Sequence, residues 1–296
     1  MDLAYLRTHP QHLPTFLTHQ RIRETPVGGS GVCSVSRLTL DDGSSLFAKT
    51  WPDGDAPEGM FATEAAGLGW LRSAGGVAVP EVIVALPEML AMEWIEPGEP
   101  TRRAAERFGR ELAETHRAGA DRFGLDRDGY IGPLPLDNSP VDGGWGAWFA
   151  ARRLAPYLEM SAGRGALSGS DVAVVQEIIT AISRYGGDEA PARIHGDLWP
   201  GNLLWGADDR AWLVDPAAHG GHRETDLATL ALFGGVPHLD LILASYQETW
   251  PLADGWRDRV PLHQLHLLLV HTAAFGGGYR AGVRAAADAL STGRFA

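Results

Sequence analysis

Lysine and asparagine are almost missing from this chain. Of its 25 basic residues 24 are arginine, Lys49 is the single lysine, and Asn138 and Asn202 are the only asparagines. A bias of this kind replaces lysine wherever a generic surface cation suffices, so the lysine that survives is expected to do what a planar guanidinium cannot. Cysteine is as scarce: Cys33 alone excludes an intramolecular disulfide and fits a reducing compartment. No run of 18 apolar residues occurs, and residues 1–20, broken by Pro10 and Pro14, hold no signal-like apolar stretch, so a cytoplasmic protein without membrane contact is expected. Positive charge is also in deficit. With 25 Lys+Arg against 37 Asp+Glu the formal net charge is −12, which speaks against a nucleic-acid partner.

What is present suffices for a packed core: 45% hydrophobic residues and 10 Trp in 296 residues, a length that suggests two lobes. Residues 21–50 read as three antiparallel strands joined through Gly28-Gly29-Ser30-Gly31 and Asp41-Asp42-Gly43. A helix follows over 59–73, stopped by Gly75-Gly76, and then two strands over 82–86 and 89–95. Glu96-Pro97-Gly98-Glu99-Pro100 resembles a linker. Beyond it the period is helical over 104–118, 144–160, 171–185, 225–233, 239–250 and 260–275, interrupted by β-like runs at 202–206 and 211–215. The expected class is α+β and bilobal: a small antiparallel lobe with one main helix (1–95) and a larger, mainly helical lobe (96–296).

One constellation carries chemistry. In His195-Gly196-Asp197-Leu198-Trp199-Pro200-Gly201-Asn202 an Asp precedes an Asn by five positions in a Gly/Pro loop, and Asp215 ends the next apolar run. Phosphoryl-transfer enzymes use an Asp to accept the hydroxyl proton and an Asn with a later strand-end Asp to hold Mg²⁺ between phosphates. Asp197, Asn202 and Asp215 fit those three roles. Lys49 lies on the third strand and Glu64 on the following helix, the pairing by which kinases set a compact cation against the α- and β-phosphates. Gly28, Gly29, Ser30 and Gly31 would form a flexible lid whose N–H groups approach the phosphates. The kinase pattern adds Val32 and Ala48 as purine-pocket lining, and Glu93-Trp94-Ile95 as the segment whose backbone meets the adenine edge. ATP and Mg²⁺ are the expected cofactors. Asn138 needs only a turn role, and His195, His222 and Asp226 read as backbone-bonding, loop-fixing groups.

The sequence resembles the fructosamine kinase, or ketosamine-3-kinase, family of the aminoglycoside phosphotransferase and choline kinase-like group, which has a protein-kinase-like fold. The resemblance rests on His195-Gly196-Asp197-Leu198-Trp199 with Gly201-Asn202, Asp215-Pro216-Ala217, Gly221-His222-Arg223-Glu224, Asp226-Leu227-Ala228 and Leu232-Phe233-Gly234-Gly235. Phe123-Gly124-Leu125, Tyr130-Ile131-Gly132, Leu268-Leu269-Val270-His271 and Phe275-Gly276-Gly277-Gly278-Tyr279 extend it over nearly the whole chain. It implies that ATP phosphorylates the 3-hydroxyl of a small-molecule or protein-bound ketoamine, that Asp197 is the base, and that Trp199 stacks on the sugar or its amine substituent. Loss of the 3-phosphate would then regenerate the amine, a deglycation. A monomer or weak homodimer is expected. An aminoglycoside or small-alcohol phosphotransferase shares the same core, and a pseudokinase scaffold is disfavoured because Lys49, Asp197, Asn202 and Asp215 are all retained. His219 and Pro200 depart from the family pattern and are expected beside the acceptor pocket. Cys33, just after the Gly-rich loop, is a candidate for oxidation that impairs ATP binding.

Overall fold

The computed structural model describes residues 2–19, 22–28, 32–52 and 56–293. Five antiparallel strands form the first sheet: β1 (Arg23–Pro26), β2 (Ser34–Thr39), β3 (Ser45–Thr50), β4 (Val82–Leu86) and β5 (Met89–Glu93), in the order β1-β2-β3-β5-β4. Strands have a period of two, so the sheet has two differently employed faces. Leu38, Leu46, Ala48, Val84, Met89 and Ala91 pack with Leu6 and Leu13 of two short N-terminal helices, α1 (Leu3–Thr8) and α2 (Leu13–Thr18). The sequence does not announce these helices, because Pro10 and Pro14 read as breaks. Pro10 in fact opens a 3₁₀ turn and Pro14 stands in the first turn of α2, where its missing N–H costs nothing.

The helix α3 (Met60–Arg72) packs against the other side of the sheet through Phe61, Leu68 and Leu71. These side chains share one apolar cluster with Leu90 and Met92 of β5 and with Ala105, Phe108 and Leu112 of α4 (Arg102–Arg117). The segment before α4 is tied down by its backbone. Gly98 donates to the Trp205 carbonyl at 2.7 Å, and Ala207 donates to that of Glu96 at 2.8 Å.

The second half is mainly helical: α5 (Gly144–Phe149), α6 (Ala155–Gly163), α7 (Gly169–Thr180), α8 (Arg223–Thr229), α9 (Leu239–Thr249), α10 (Trp256–Phe275) and α11 (Arg280–Thr292). The single helix expected over 144–160 is α5 and α6 joined by a π-helical turn, Ala150–Leu154, just ahead of Pro156, which cannot donate to the preceding turn. Three two-stranded ribbons are set among the helices: β6 (Gly129–Ile131) with β7 (Leu134–Leu136), β8 (Ala192–Ile194) with β11 (His219–Gly221), and β9 (Leu203–Gly206) with β10 (Arg210–Leu213). The β9–β10 hairpin matches the two β-like runs of the sequence; the other two ribbons have strands of three residues, too short for a periodicity. No helix among the described residues is long and apolar enough to cross a membrane.

Candidate active site

A cavity of about 860 Å³ lies between the first sheet and the helical half, and it gathers residues from nearly every segment singled out above. Lys49, on β3, is only 7% exposed. Its ammonium donates to both carboxylate oxygens of Glu64, each at 2.9 Å, and to Asp215 Oδ1 at 2.8 Å. Burial pushes this ammonium toward neutrality, and the attraction of Asp215 and Glu64 reverses the effect and holds it firmly charged. One cation thus serves two carboxylates. Burial raises the Glu64 carboxyl, while Lys49 holds that of Asp215 below the usual range against the desolvation it suffers.

The loop from His195 to Asn202 is fixed from behind. Asp226, fully buried on α8, accepts from the His195 amide at 2.7 Å and the Gly196 amide at 2.9 Å. His116 of α4 donates to the same carboxylate at 3.1 Å through Nε2, and Tyr246 bonds its other nitrogen at 2.8 Å. Burial works against the Asp226 charge, yet these bonds keep its carboxyl low. His195 Nε2 reaches the Val214 carbonyl at 2.8 Å, which sets the loop beside the strand that delivers Asp215. Gly196 has φ +80°, and a Cβ there would overlap the Ala217 carbonyl, so no other residue fits. His195 and Asp226 are therefore loop-fixing, as their sequence context suggested. His116 was missed, because nothing in its own helix marks it.

Asn202 Nδ2 donates to the Asp197 carbonyl at 2.8 Å and to Asp197 Oδ2 at 3.0 Å, while Asp197 Oδ1 is buried with no hydrogen-bond partner. Burial, then the charge of Asp215, raises the Asp197 carboxyl well above its ordinary value. An unpartnered buried carboxylate oxygen in a cavity is ready to accept a proton from a bound hydroxyl. Asp215 has φ +54°, a left-handed conformation uncommon for a residue with a Cβ, held between Val214 and Pro216. With Nδ2 used in fixing the loop, the Asn202 amide oxygen and the Asp215 carboxylate form the all-oxygen donor set that suits a hard divalent cation.

Gly28, Val32, Glu93, Trp94 and Ile95 all line the cavity, and the Ile95 N–H bonds to none of the described residues, so it can donate to a nucleobase edge. Gly29, Ser30 and Gly31 lie outside the described residues. Ala48 does not line the cavity. It alternates with Lys49 and faces Leu6 and Leu13 on the opposite side of the sheet, and Phe47, two positions before Lys49, takes the lining place instead. His219 and Pro200 are also absent from the lining: His219 is buried, bonds the Ala217 carbonyl and accepts from Arg153. Asn138 is more than a turn residue. It lines the cavity, donates to the Arg127 carbonyl at 3.1 Å and accepts from the buried Arg153. Cys33 lines the cavity too, and burial raises its thiol, which argues against a reactive thiolate.

Outside the cavity, His222, Glu224 and His263 lie as close together as metal ligands would. His222 Nδ1 accepts from the Glu224 amide at 3.2 Å, so the proton of its neutral ring sits on Nε2, beside Gly187. Both Glu224 oxygens accept from Arg259, at 2.9 and 2.6 Å. The Arg259–Glu224 bonds, with the Thr225 hydroxyl on His263 Nδ1 at 2.9 Å, brace α8 against α10, and His222 caps α8.

A five-stranded antiparallel sheet carrying a Lys–Glu pair, set over a helical half that presents an Asp…Asn loop and a strand-end Asp, defines a protein-kinase-like phosphotransferase fold. A choline kinase from Streptococcus pneumoniae shares the fold at 12% identity, with a TM-score of 0.61 and coverage of 97% of this chain and 99% of that one. Much nearer is the structure titled "putative fructosamine-3-kinase" from Thermobifida fusca: 49% identity, TM-score 0.87, 92% of this chain and 94% of that one. A protein from Enterococcus faecium named "Probable ketoamine kinase" is 32% identical over 264 residues, 86% of this chain and 90% of its own. The profile described as Fructosamine kinase matches residues 9–292. The chain belongs to the fructosamine kinase family.

Proposed function

We propose that the chain transfers the terminal phosphate of ATP to the 3-hydroxyl of a ketosamine such as a fructosamine or ribulosamine. The observation that carries this reading is the meeting, in one cavity, of the Lys49–Glu64–Asp215 ion cluster with the unpartnered Asp197 Oδ1. The nucleotide lies against residues 1–95, its adenine edge facing Glu93 and Ile95 and its phosphates facing Lys49. The catalytic loop and acceptor pocket belong to 96–296. Asp197 Oδ1 takes the proton of the 3-hydroxyl as that oxygen bonds to the γ-phosphorus and the bond to the ADP oxygen breaks. Asn202 and Asp215 would hold Mg²⁺, which when bound offsets charge on the phosphates. Asn202 also keeps the base aimed by anchoring Asp197 Oδ2. The product carries phosphate as a leaving group near its carbonyl; its elimination, followed by hydrolysis of the resulting carbon–nitrogen double bond by water, would release the sugar as a dicarbonyl and free the amine, a deglycation. The family and the 49% identity with the "putative fructosamine-3-kinase" from Thermobifida fusca favour this acceptor over other alcohols.

A parallel assay with ATP and Mg²⁺ tests it. A fructosamine, a ribulosamine and kanamycin are offered separately, and adducts are detected by mass spectrometry. A phosphate mass added to a ketosamine is the expected result; phosphorylation of kanamycin alone would overturn the acceptor assignment.

A further inference from the structure

Behind the wall of the cavity sits a cation that the chemistry above does not use. Arg153 is fully buried, yet every group that its N–H fork bonds is uncharged. Nη1 donates to the Asp137 carbonyl at 2.7 Å and the Arg152 carbonyl at 3.1 Å, Nη2 to Asn138 Oδ1, and Nε to His219 Nε2 at 3.4 Å, while the Trp148 ring covers one face at 4.3 Å. The carboxylate of Asp137 turns to Arg152 instead, at 3.0 Å. Burial lowers the guanidinium to about 10, which still leaves it charged at neutral pH. A buried charge without a counter-charge is a cost to folding, and the π-helical turn that carries it, Ala150–Leu154, is a distortion that recurs at functional sites.

The fork reaches two walls of the site. On one side is Asn138, which lines the cavity. Its Nδ2 donates to the Arg127 carbonyl at 3.1 Å, its amide to Asp128 Oδ1 at 2.9 Å, and its carbonyl accepts from the Leu125 amide at 3.2 Å. Leu125, Arg127 and Asp128 all line the same cavity, so Asn138 rivets that segment to Arg153. On the other side is His219. With Nε2 accepting from Arg153, its proton sits on Nδ1 and goes to the Ala217 carbonyl at 2.7 Å, two residues past Asp215. A Cβ on Gly196 would lie 2.8 Å from the same ring. His219 is thereby wedged between the loop of Asp197 and the segment that follows Asp215.

The residue types carry the same message. Aspartate at 138 would neutralise the buried cation, and this chain holds 37 Asp+Glu against two asparagines, of which Asn202 serves the catalytic loop. Aspartate could accept from Arg153 but not donate to the Arg127 carbonyl. The carboxamide is retained where both bonds are made at once. Lysine at 153 would keep the charge, but a single ammonium cannot span Asn138 and His219 as a planar fork does.

We propose that Arg153 is a positioning residue of the phosphotransfer site: buried away from any ligand, it acts through Asn138 and His219 to fix the spacing between the wall formed by residues 125–128 and the loop that presents Asp197. This rests on the kinase reading, in which an acceptor hydroxyl meets Asp197 while the rest of the acceptor lies against the helical half. Reactive geometry tolerates little displacement. A wall that shifts by a fraction of an ångström misplaces the hydroxyl without disturbing the nucleotide, which lies against the first sheet.

Steady-state kinetics on Arg153→Lys and Asn138→Asp, with a fructosamine and a ribulosamine as separate acceptors, tests the assignment. Both variants should raise KM for the acceptor about fivefold or more and change the ratio of kcat/KM between the two acceptors about threefold or more, with KM for ATP unchanged. Asn138→Asp gives Arg153 a carboxylate, so its melting temperature should hold or rise, which separates lost positioning from lost folding. Partial unfolding removes active enzyme and lowers kcat alone, leaving KM and the ratio where they were. That pattern, or wild-type kinetics in both variants, overturns the assignment while leaving the kinase reading intact. If the wild type phosphorylates neither ketosamine, the acceptor reading fails instead, and the role of Arg153 is judged by hydrogen exchange. Faster exchange at residues 125–128 in both variants, with wild-type protection of the first sheet, supports it; exchange raised everywhere or nowhere overturns it.

Discussion

Lys49 shows how much a single position can reveal. In a chain that uses arginine at every other basic site, the one lysine sits between two carboxylates, where three short bonds converge on one nitrogen. A guanidinium is too broad to accept that convergence and still present a point charge to a phosphate. Lys49→Arg should lower turnover by about a hundredfold or more, read as kcat/KM for ATP at saturating acceptor. Asp197→Ala should abolish turnover while calorimetry still detects ATP binding; a variant that keeps the wild-type rate would remove Asp197 from its assigned role. Residue identity made Lys49, Asp197, Asn202 and Asp215 legible in the sequence, because their types and spacing are dictated by the chemistry. Ala48 was misplaced because a pattern borrowed from kinases overrode the period of the strand: with Lys49 facing the cavity, its neighbour cannot. The rings of Phe233, His271, Phe275 and Tyr279 lie in visible motifs but do not read as a group, since they meet only through the packing of α10 on the segments around it.

Elements carry these residues only if their own ends are held. The Trp199 ring lies directly over Gly201, where a Cβ would overlap its carbons. Gly201→Ala should therefore displace the indole and raise KM for the acceptor, with the Asp197–Asn202 bonds to the loop strained as well. At the other end of the chain, α11 is pinned to α7 by Asp171. This buried carboxylate caps α7 through Ser168 and accepts from Arg280 at 2.6 Å and Arg284 at 3.0 Å. Asp171→Ala leaves the cap unmade and both arginines without their partner. A loss of about 3 kcal/mol in urea unfolding is expected, against almost none for a substitution at exposed Glu58. The sequence showed most long helices and all five strands of the first sheet because periodicity survives over such lengths. It did not show α1, α2, α11 or the three-residue ribbons, whose placement comes from neighbours rather than from their own pattern.

For the molecule as a whole, buried histidines set the acid limit. Burial pushes His222 and His266 down to about 3 and His219 well below its ordinary value, so all three are neutral in the folded state. The unfolded chain takes up these protons near pH 6.5 and the folded one does not, so stability falls as pH drops below that value. Each ring costs about 1.4 kcal/mol per pH unit over this range. Glu224 adds a later loss. Burial opposes its charge, but bonds from His263 and Arg259 hold it at about 2, so its contribution is complete above about pH 4.3 and disappears as pH falls toward 2. Melting temperatures should already decline between pH 7.5 and 5.5; a flat profile there would mean that the rings are not buried neutral.

The apolar cluster that joins Phe61, Leu68, Leu71, Leu90 and Met92 to Phe108, Leu112, Leu198, Leu203 and Leu213 bears on how the protein comes apart. Neither half owns that core: each supplies one wall of it. Severing the chain near Pro97 and producing the pieces separately would leave two sticky, half-finished surfaces, and mixing them should restore a fold that neither attains alone. The catalytic groove is cut into one shared solid, so damage far from it, anywhere along that seam, reaches the chemistry as a loss of assembled enzyme.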